Sequence, residues 1–192
     1  MIGASEEIPQ SNQRNMPVRI WSNFTNNISK IIIYGDFKDM NFEKISEKQY
    51  IEDGVNNYIA YEDIKLPKRA TVGSAGYDIY SVTDFHIEPG EFVKVPTGIR
   101  VSLDSDKFLM IVPRSGLGFK YGTYLSNTAG IIDRDYYFSD NEGHIWVKMG
   151  TEKPVDIHKG DAICQGIICN FYKTSDDDTT ELRNGGFGST DK

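Results

Sequence analysis

The segment over residues 127–136 places two carboxylates, Asp133 and Asp135, after a glycine and a pair of isoleucines. Isoleucines favour an extended backbone, and a glycine within a strand lets another backbone or a flat ligand approach closely. Strand alternation predicts that the two carboxylates share one face, opposite Arg134 and Tyr136. Carboxylates on one face repel each other unless water, cations or hydrogen-bond donors separate them. The segment therefore indicates either a functional site or an acidic, solvated end of a hairpin.

A second candidate site begins at Arg114, Ser115 and Gly116, which follow an apolar strand predicted over 108–112. We expect a helical turn or two within 117–125. The first N–H groups of a helix are unpaired and point outward, so they attract anions. Arg114 adds a forked cation suited to phosphate. The pattern predicts a phosphate site, and a simple strand-to-helix N-cap is the alternative.

A glycine-rich segment, 185–190, lies almost at the C-terminus and follows the acidic run Asp176–Asp178. Its three glycines leave backbone N–H groups free to wrap a phosphate, and Ser189 and Thr190 add hydroxyl donors. No lysine stands in the Walker arrangement, so the segment is not a P-loop. A disordered tail is the alternative, which suits the glycines but not Phe187 in their midst.

These segments gain specificity from their order along the chain. With two further ones, they resemble the five ordered motifs of the trimeric dUTP pyrophosphatases (dUTPases) over about residues 67–190. Gly-Phe-Gly-Ser or Arg-Ser-Gly alone occurs by chance, whereas five motifs in the right order are specific. The motifs are SAGYDIYS at 74–81, PRSGLG at 113–118, the segment 127–136, KGDAICQ at 159–165 and GGFGST at 185–190.

The resemblance implies an enzyme that hydrolyses dUTP to dUMP and pyrophosphate by attack of water on the α-phosphorus. Asp133 would orient and activate this water mainly by positioning, because a reference aspartate pKa of about 3.9 makes a weak base at neutral pH. Tyr136 would lie flat beneath the deoxyribose and leave no room for a 2′-hydroxyl. Asn127 and the backbone from Gly130 to Ile132 would read the uracil edge, in a hairpin too tight for the 5-methyl group of thymine.

Other motif residues are implied to contact the phosphates and a Mg²⁺ cofactor. Ser115 and Gly116 would bind the middle of the triphosphate with support from Arg114, and Gln165 would bind an oxygen of the α-phosphate. Mg²⁺ keeps several waters and binds substrate phosphates, so Asp78 would reach the metal only through water. A turn cap is an equally open alternative for Asp78.

The C-terminal motif is implied to close over the substrate. Phe187 would stack on the uracil, and Gly188, Ser189 and Thr190 would meet the terminal phosphate. Ordering glycines is entropically costly, so we expect the closed arm to form mainly when nucleotide is present.

Two features depart from the usual family pattern. The hairpin after Tyr136 is longer, with residues 137–142 before Gly143. The arginine of the arm usually stands five residues before the phenylalanine, where this chain has Leu182. Arg183 is one position closer, and we expect it to reach the terminal phosphate in place of the usual arginine.

Composition excludes several other classes of protein. The net charge of -7 argues against a general nucleic-acid binder, and no apolar run approaches membrane-spanning length. The N-terminus lacks the basic and apolar pattern of a secretory signal. Cys164 and Cys169 are expected to be free core thiols. We therefore expect neither a nucleic-acid nor a membrane partner, and a cytoplasmic or other reducing intracellular location, a nuclear or virus-encoded protein included.

The pattern of elements predicts an all-β fold, a jelly-roll-like distorted barrel or sandwich. From residue 64 onward, short strands alternate with turn signals every eight to twelve residues. We expect a mobile N-terminal arm over 1–15, a single β domain over 16–173 and a flexible C-terminal arm over 174–192 that closes over the active site. An insertion over about 22–63 is predicted to contain a short helix, from the N-cap Asn41 to a stop at Gly54.

The resemblance also implies a homotrimer whose three sites are each assembled from more than one subunit. Two alternatives remain. A dCTP deaminase-like enzyme shares the fold, but it usually has phenylalanine at the position of Tyr136 and a glutamate in the next strand, where this chain reads IWVKM. A β-sandwich interaction protein would use its nucleotide site to gate partner binding, and the insertion 22–63 would be the partner surface.

Overall fold

The computed structural model describes residues 39–180 and residue 183. Strands dominate this part of the chain, and their bounds are β1 Asn41–Lys44, β2 Lys68–Arg69, β3 Gly76–Tyr80, β4 Phe85–Ile87, β5 Phe92–Pro96, β6 Ile99–Ser102, β7 Lys107–Pro113, β8 Tyr124–Leu125, β9 Gly130–Asp133, β10 Trp146–Gly150, β11 Val155–Ile157 and β12 Ala162–Asn170. The predicted all-β fold is confirmed. The expected arm over 1–15 lies outside the described residues.

Helical structure in the described part is limited to short pieces. They are the α-helices α1 Glu47–Glu52 and α2 Ser115–Tyr121, and the 3₁₀ segments Val55–Asn57, Tyr61–Asp63 and Arg134–Phe138. The helical turns predicted within 117–125 are confirmed as far as Tyr121, where α2 ends, whereas Tyr124 and Leu125 form β8. No described helix has the length and apolar character needed to cross a membrane.

The strands form four antiparallel groups. The largest has the order β2-β3-β12-β7-β9, a second has the order β5-β10-β8, and β1-β6 and β11-β4 form pairs. No sheet closes into a barrel in the part of the chain that the structure describes. Strand β7 is central to the site, because β12 pairs with one of its edges and β9 with the other.

The predicted helix from Asn41 is wrong in its first half. Asn41 to Lys44 form β1, which pairs with β6 with Asn41 opposite Ser102. The helix starts after Ser46, whose hydroxyl accepts a hydrogen bond from the Gln49 N–H. Serine is among the strongest N-cap residues, and pairing with β6 overrides the weak helical pattern before it. The predicted stop at Gly54 agrees with its left-handed φ of 70°.

The described part of the insertion shares the core of the β domain. Ile45 and Val55 are fully buried and pack in one hydrophobic cluster with Ile99 and with Leu103. Burying a side chain of this size contributes about 1.5–3 kcal/mol each. Residues 41–64 are therefore an integral layer of this core.

Candidate active site

A pocket of about 440 Å³ opens beside β9. Three cations, Lys94, Lys148 and Arg183, line it in a chain whose net charge is -7. The complete lining is Lys94, Ile111, Leu125, Ser126, Asn127, Gly130, Ile131, Ile132, Tyr136, Trp146, Val147, Lys148 and Arg183. The pocket thus brings together five of the residues that the sequence assigned to nucleotide binding: Asn127, Gly130, Ile132, Tyr136 and Arg183.

The pocket floor depends on close packing of β9 against β7. Gly130 stands opposite Ile111, and a Cβ atom at Gly130 would lie 3.3 Å from the Ile111 Cβ. Such a contact is tight, so glycine keeps this part of the floor open. The turn before β9 contains Thr128 with a φ of 65°, an unusual value for a β-branched residue. Its neighbour Asn127 is thereby placed at the pocket entrance on a constrained backbone.

Asp133 ends β9 with a half-exposed side chain that contacts Arg183, a residue of the pocket lining. Arg183 lies across it, with Nη2 3.3 Å from Asp133 Oδ2 and Nε 3.7 Å from Asp135 Oδ1. Partial burial raises the pKa of Asp133; the Arg183 guanidinium opposes this effect, and the Asp135 carboxylate adds to it. A raised pKa makes Asp133 a better proton acceptor than an ordinary aspartate.

The predicted strand alternation through Tyr136 is wrong. The strand ends at Asp133, and Arg134 to Phe138 form a 3₁₀ segment. A contact with a residue distant in sequence holds this turn: Arg134 Nε donates to the Leu103 carbonyl at 3.1 Å. Asp133 and Asp135 nevertheless converge, because both contact Arg183.

Tyr136 is fixed by its hydroxyl and presents its ring to the pocket. The hydroxyl donates to the His144 carbonyl at 2.8 Å and accepts from Asn141 Nδ2 at 2.8 Å. The guanidinium carbon of Arg183 lies 5.6 Å from the ring centre, within cation–π range. A buried, doubly anchored aromatic ring provides a flat, rigid wall for a ligand.

A second group of predicted residues lies where β3, β12 and β7 meet α2. Asp78 of β3 is opposite Gln165 of β12, and Arg114 donates to both oxygens of the Asp78 carboxylate, at 3.2 and 3.4 Å. A Cβ atom at Gly76 would lie 2.2 Å from Gln165 Oε1. The motif glycine is therefore required for the position that the Gln165 amide occupies.

Ser115 and Gly116 open α2 beside this group. The N-cap position is Arg114, and no side chain caps the helix. The first N–H groups of α2 are therefore not capped by a side chain, and Ser115 is not the N-cap residue. Both interpretations fit this geometry: β7 leads through Arg114 into α2 as in a simple strand-to-helix N-cap, and the first N–H groups of the helix can also bind a phosphate.

The two groups are separated along β7. Asp133 stands opposite Phe108, whereas Gln165 stands opposite Val112, four residues farther along the same strand. Four residues of strand span roughly 14 Å. Within one chain, Asp133 thus belongs to one half-site, and Asp78, Arg114, Ser115, Gly116 and Gln165 belong to another.

Several predicted contacts concern residues that the structure leaves undescribed. Phe187, Gly188, Ser189 and Thr190 lie outside the described residues, and their roles stay predictions. Sequence reasoning missed His144, Trp146 and Lys94, which contact or line the pocket. The sequence feature that could have indicated them is a histidine and a tryptophan two residues apart, directly after Gly143.

A family model described as dUTPase matches residues 62–191 of the chain. The deoxyuridine 5′-triphosphate nucleotidohydrolase of Lactococcus lactis is 40% identical over 132 residues, which cover 66% of this chain and 88% of that protein. The human mitochondrial protein of the same name is 39% identical over 137 residues, covering 68% of this chain and 52% of that protein.

Solved structures agree with these relatives. The crystal structure of dUTPase from Streptococcus mutans matches with a TM-score of 0.57 and 32% identity, covering 70% of this chain and 98% of that one. A mutant dUTPase from Staphylococcus aureus phage phi11, described with a structural Mg(II) ion, matches with a TM-score of 0.56 at 18% identity, covering 75% of this chain and 98% of that one. The latter likeness concerns the fold alone. The strands described above thus form the jelly-roll-like β fold of these structures.

Proposed function

The chain belongs to the dUTPase family, and we propose that it hydrolyses dUTP to dUMP and pyrophosphate through a water molecule positioned by Asp133. The observation that carries the mechanism is the half-exposed Asp133 carboxylate in contact with Arg183 of the pocket lining, with its pKa raised by partial burial. From this position it accepts a proton from water as the water attacks the α-phosphorus. Holding the water in line with the leaving pyrophosphate provides the rest of its effect.

The pocket accounts for recognition of a deoxyuridine nucleotide. We assign hydrogen bonds with the uracil edge to backbone groups from Gly130 to Ile132 and to the amide of Asn127, because these residues line the pocket. The ring of Tyr136, immobilised through its hydroxyl, supports the deoxyribose and excludes a 2′-hydroxyl. The close packing of Gly130 on Ile111 restricts the space in which a 5-methyl group would have to fit.

The second group of residues accounts for the phosphates. The uncapped N–H groups of Ser115 and Gly116 and the side chain of Gln165 supply donors, and Arg114 adds positive charge. No group of three or more metal-ligating side chains occurs within residues 39–180 and 183. Mg²⁺ therefore fits as an ion held mainly by the phosphates, with Asp78 contacting it through water. When bound, Mg²⁺ would withdraw negative charge from the phosphates.

Neither alternative function is favoured. A dCTP deaminase-like enzyme does not match a tyrosine at position 136 or the sequence IWVKM in the next strand. An interaction protein that docks partners through the insertion finds no support, because residues 45–64 contribute buried side chains to the core.

Purified protein should release pyrophosphate from dUTP with Mg²⁺ present, and chelation by EDTA should lower the rate. The same assay with dCTP, dTTP, dATP, dGTP and UTP provides the controls. We expect turnover of these nucleotides to be at least about a hundredfold slower, as for substrates rejected by steric exclusion of a polar group or methyl group. Ammonia release from dCTP, or pyrophosphate release from dTTP at the dUTP rate, would contradict the proposed specificity.

The separation of the two half-sites supports a homotrimer in which each site combines residues of different subunits. A single chain holds Asp133 roughly 14 Å along β7 from the register of Gln165, too far for both to contact one α-phosphate. We therefore expect light scattering at micromolar concentration to give three times the chain mass of 21.7 kDa. A fully active monomer under the same conditions would contradict this assembly.

Arg183 should move from the carboxylates to the terminal phosphate when dUTP binds. A charge-assisted contact of this kind contributes about 1.5–3 kcal/mol, so Arg183→Ala should lower kcat/KM about ten- to a hundredfold. The guanidinium also holds down the pKa of Asp133. Its removal should raise that pKa and move the acid limb of the kcat/KM profile to higher pH, because Asp133 acts in its deprotonated form.

Leu182→Ala is the matched control for Arg183→Ala and should change kcat/KM much less. If Arg183→Ala loses less than about twofold in kcat/KM, the arginine makes no productive phosphate contact. A pH profile that does not move would show that Arg183 leaves Asp133 when substrate is absent.

A further inference from the structure

His144 is a fully buried histidine in the loop between β9 and β10, two residues before β10 begins. Its Nε2 lies 2.9 Å from the backbone nitrogen of Gly98, and its Nδ1 lies 2.6 Å from Asp53 Oδ2. The Gly98 N–H can only donate, so Nε2 must be the unprotonated acceptor. The single proton of the neutral ring is then on Nδ1 and is donated to Asp53. The two contacts fix both the tautomer and the orientation of the ring.

The charges around His144 agree with a neutral ring. Burial lowers its pKa, Asp53 opposes this effect and Lys94 adds to it. Protonation of Nε2 would also set two N–H groups against each other at Gly98. The imidazole thus serves at neutral pH as a fixed polar link, with its hydrogen-bonding capacity used on both sides.

His144 connects this link to two walls of the nucleotide pocket. Its carbonyl accepts the hydrogen bond from the Tyr136 hydroxyl at 2.8 Å. Its ring packs against the Trp146 ring with centres 5.1 Å apart, and Trp146 lines the pocket. A shift of His144 would therefore displace Tyr136 and Trp146 together.

Asp53 reaches His144 from the inserted segment. It is the C-cap of α1, and the N-cap residue of that helix also contacts the loop between β9 and β10. There, the N–H and hydroxyl of Ser46 donate to the two carboxylate oxygens of Glu142, at 2.8 and 2.7 Å. The two cap residues of α1 thus contact the loop between β9 and β10 at Glu142 and at His144.

We propose that Asp53 is a positioning residue for dUTP hydrolysis, which holds His144 so that Tyr136 and Trp146 keep the pocket in its nucleotide-binding shape. The proposal rests on the proposed binding role of Tyr136. The proposal connects the segment Asn41–Asp63, through Asp53, to the nucleotide site of the same β domain. Asp53 touches no reacting atom, so its effect falls on substrate binding and not on the chemical step.

The test compares KM, kcat and Kd of the Asp53→Ala variant with those of the wild-type protein. Loss of the acceptor should raise KM for dUTP and Kd for the analogue dUpNHpp about five- to tenfold, with kcat changed less than about twofold, because removing binding without chemistry raises KM alone. Asp53→Asn keeps an acceptor oxygen at the same place and should stay within about threefold of the unchanged KM.

Tyr50→Phe is the matched control. Tyr50 is buried in the same segment, and its hydroxyl donates to the Ile59 carbonyl without contacting His144. Its loss should lower Tm but leave KM unchanged. An equal rise of KM in Tyr50→Phe would show that general destabilisation of the segment, and not the Asp53 contact, sets the pocket shape.

A folded Asp53→Ala protein with unchanged KM and Kd would overturn the proposal. If this variant does not fold, Asp53→Glu decides, because a side chain longer by one methylene keeps an acceptor but displaces it. An unchanged KM for Asp53→Glu then overturns the proposal in the same way. Failure of the unchanged protein to hydrolyse dUTP would instead contradict the proposed function, and Kd for dUpNHpp would still report on Asp53 separately.

Discussion

Replacing Asp133 with asparagine should lower kcat for dUTP hydrolysis about 10²- to 10⁴-fold, the usual contribution of a positioned general base. Asparagine has nearly the same shape but cannot take a proton from water. Folding should be unaffected, because the side chain is half exposed at the end of β9. Rapid measurement of pyrophosphate release gives kcat, and titration with dUpNHpp gives the affinity, which we expect within about threefold of the unchanged protein because the contacts to base and sugar remain.

Asp135→Asn is the matched control, because Asp135 shares the contact with Arg183. The Asp135 carboxylate raises the pKa of Asp133. Its neutralisation should lower that pKa and move the acid limb of the kcat/KM profile to lower pH, with kcat at neutral pH nearly retained. Near-normal turnover by Asp133→Asn would remove Asp133 from the mechanism.

Deleting the chain after Arg183 should lower kcat/KM about 10²- to 10⁴-fold while leaving Tm nearly unchanged. The deleted residues carry the glycine N–H groups, Phe187, Ser189 and Thr190. Two charge-assisted hydrogen bonds to phosphate at about 1.5–3 kcal/mol each account for this loss. Steady-state kinetics with dUTP and a thermal melt of the same sample provide the two measurements.

A shorter deletion that removes only Asp191 and Lys192 is the control and should retain kcat/KM. If the longer deletion also retains it, residues 185–190 do not clamp the phosphates, and the donors at α2 must suffice. A large fall in Tm would show instead that the segment belongs to the core.

Much of the site could be predicted from the sequence, because the conformation of several of its segments depends on residues close by in the chain. The strand before Ser115, the helix after it and the position of Gln165 on a strand follow from alternation, glycine placement and helix entry. The two predictions that failed concern segments whose conformation depends on contacts with residues distant in sequence. The 3₁₀ segment after Asp133 depends on a hydrogen bond to Leu103, and β1 depends on pairing with β6.

The contacts of His144 show most clearly what local sequence patterns do not predict. Asp53 is 91 positions away in sequence and Gly98 is 46 positions away. No periodicity in either segment predicts that they meet at one imidazole. Likewise, the motif order predicts a composite site, but only the register of β7 with β9 and β12 supplies the distance that separates its halves.

The contact of Arg183 with Asp133 and Asp135 has a consequence for how fast the active site can assemble. It holds Arg183, which precedes the glycine-rich segment by two residues, at the pocket lining. Phe187 is four residues farther along, a reach of at most about 14 Å. Tethering over such a span corresponds to a local concentration in the millimolar range. A segment that clamps the phosphates as proposed would therefore reach a bound nucleotide by a short intramolecular search, and its closure would not limit turnover.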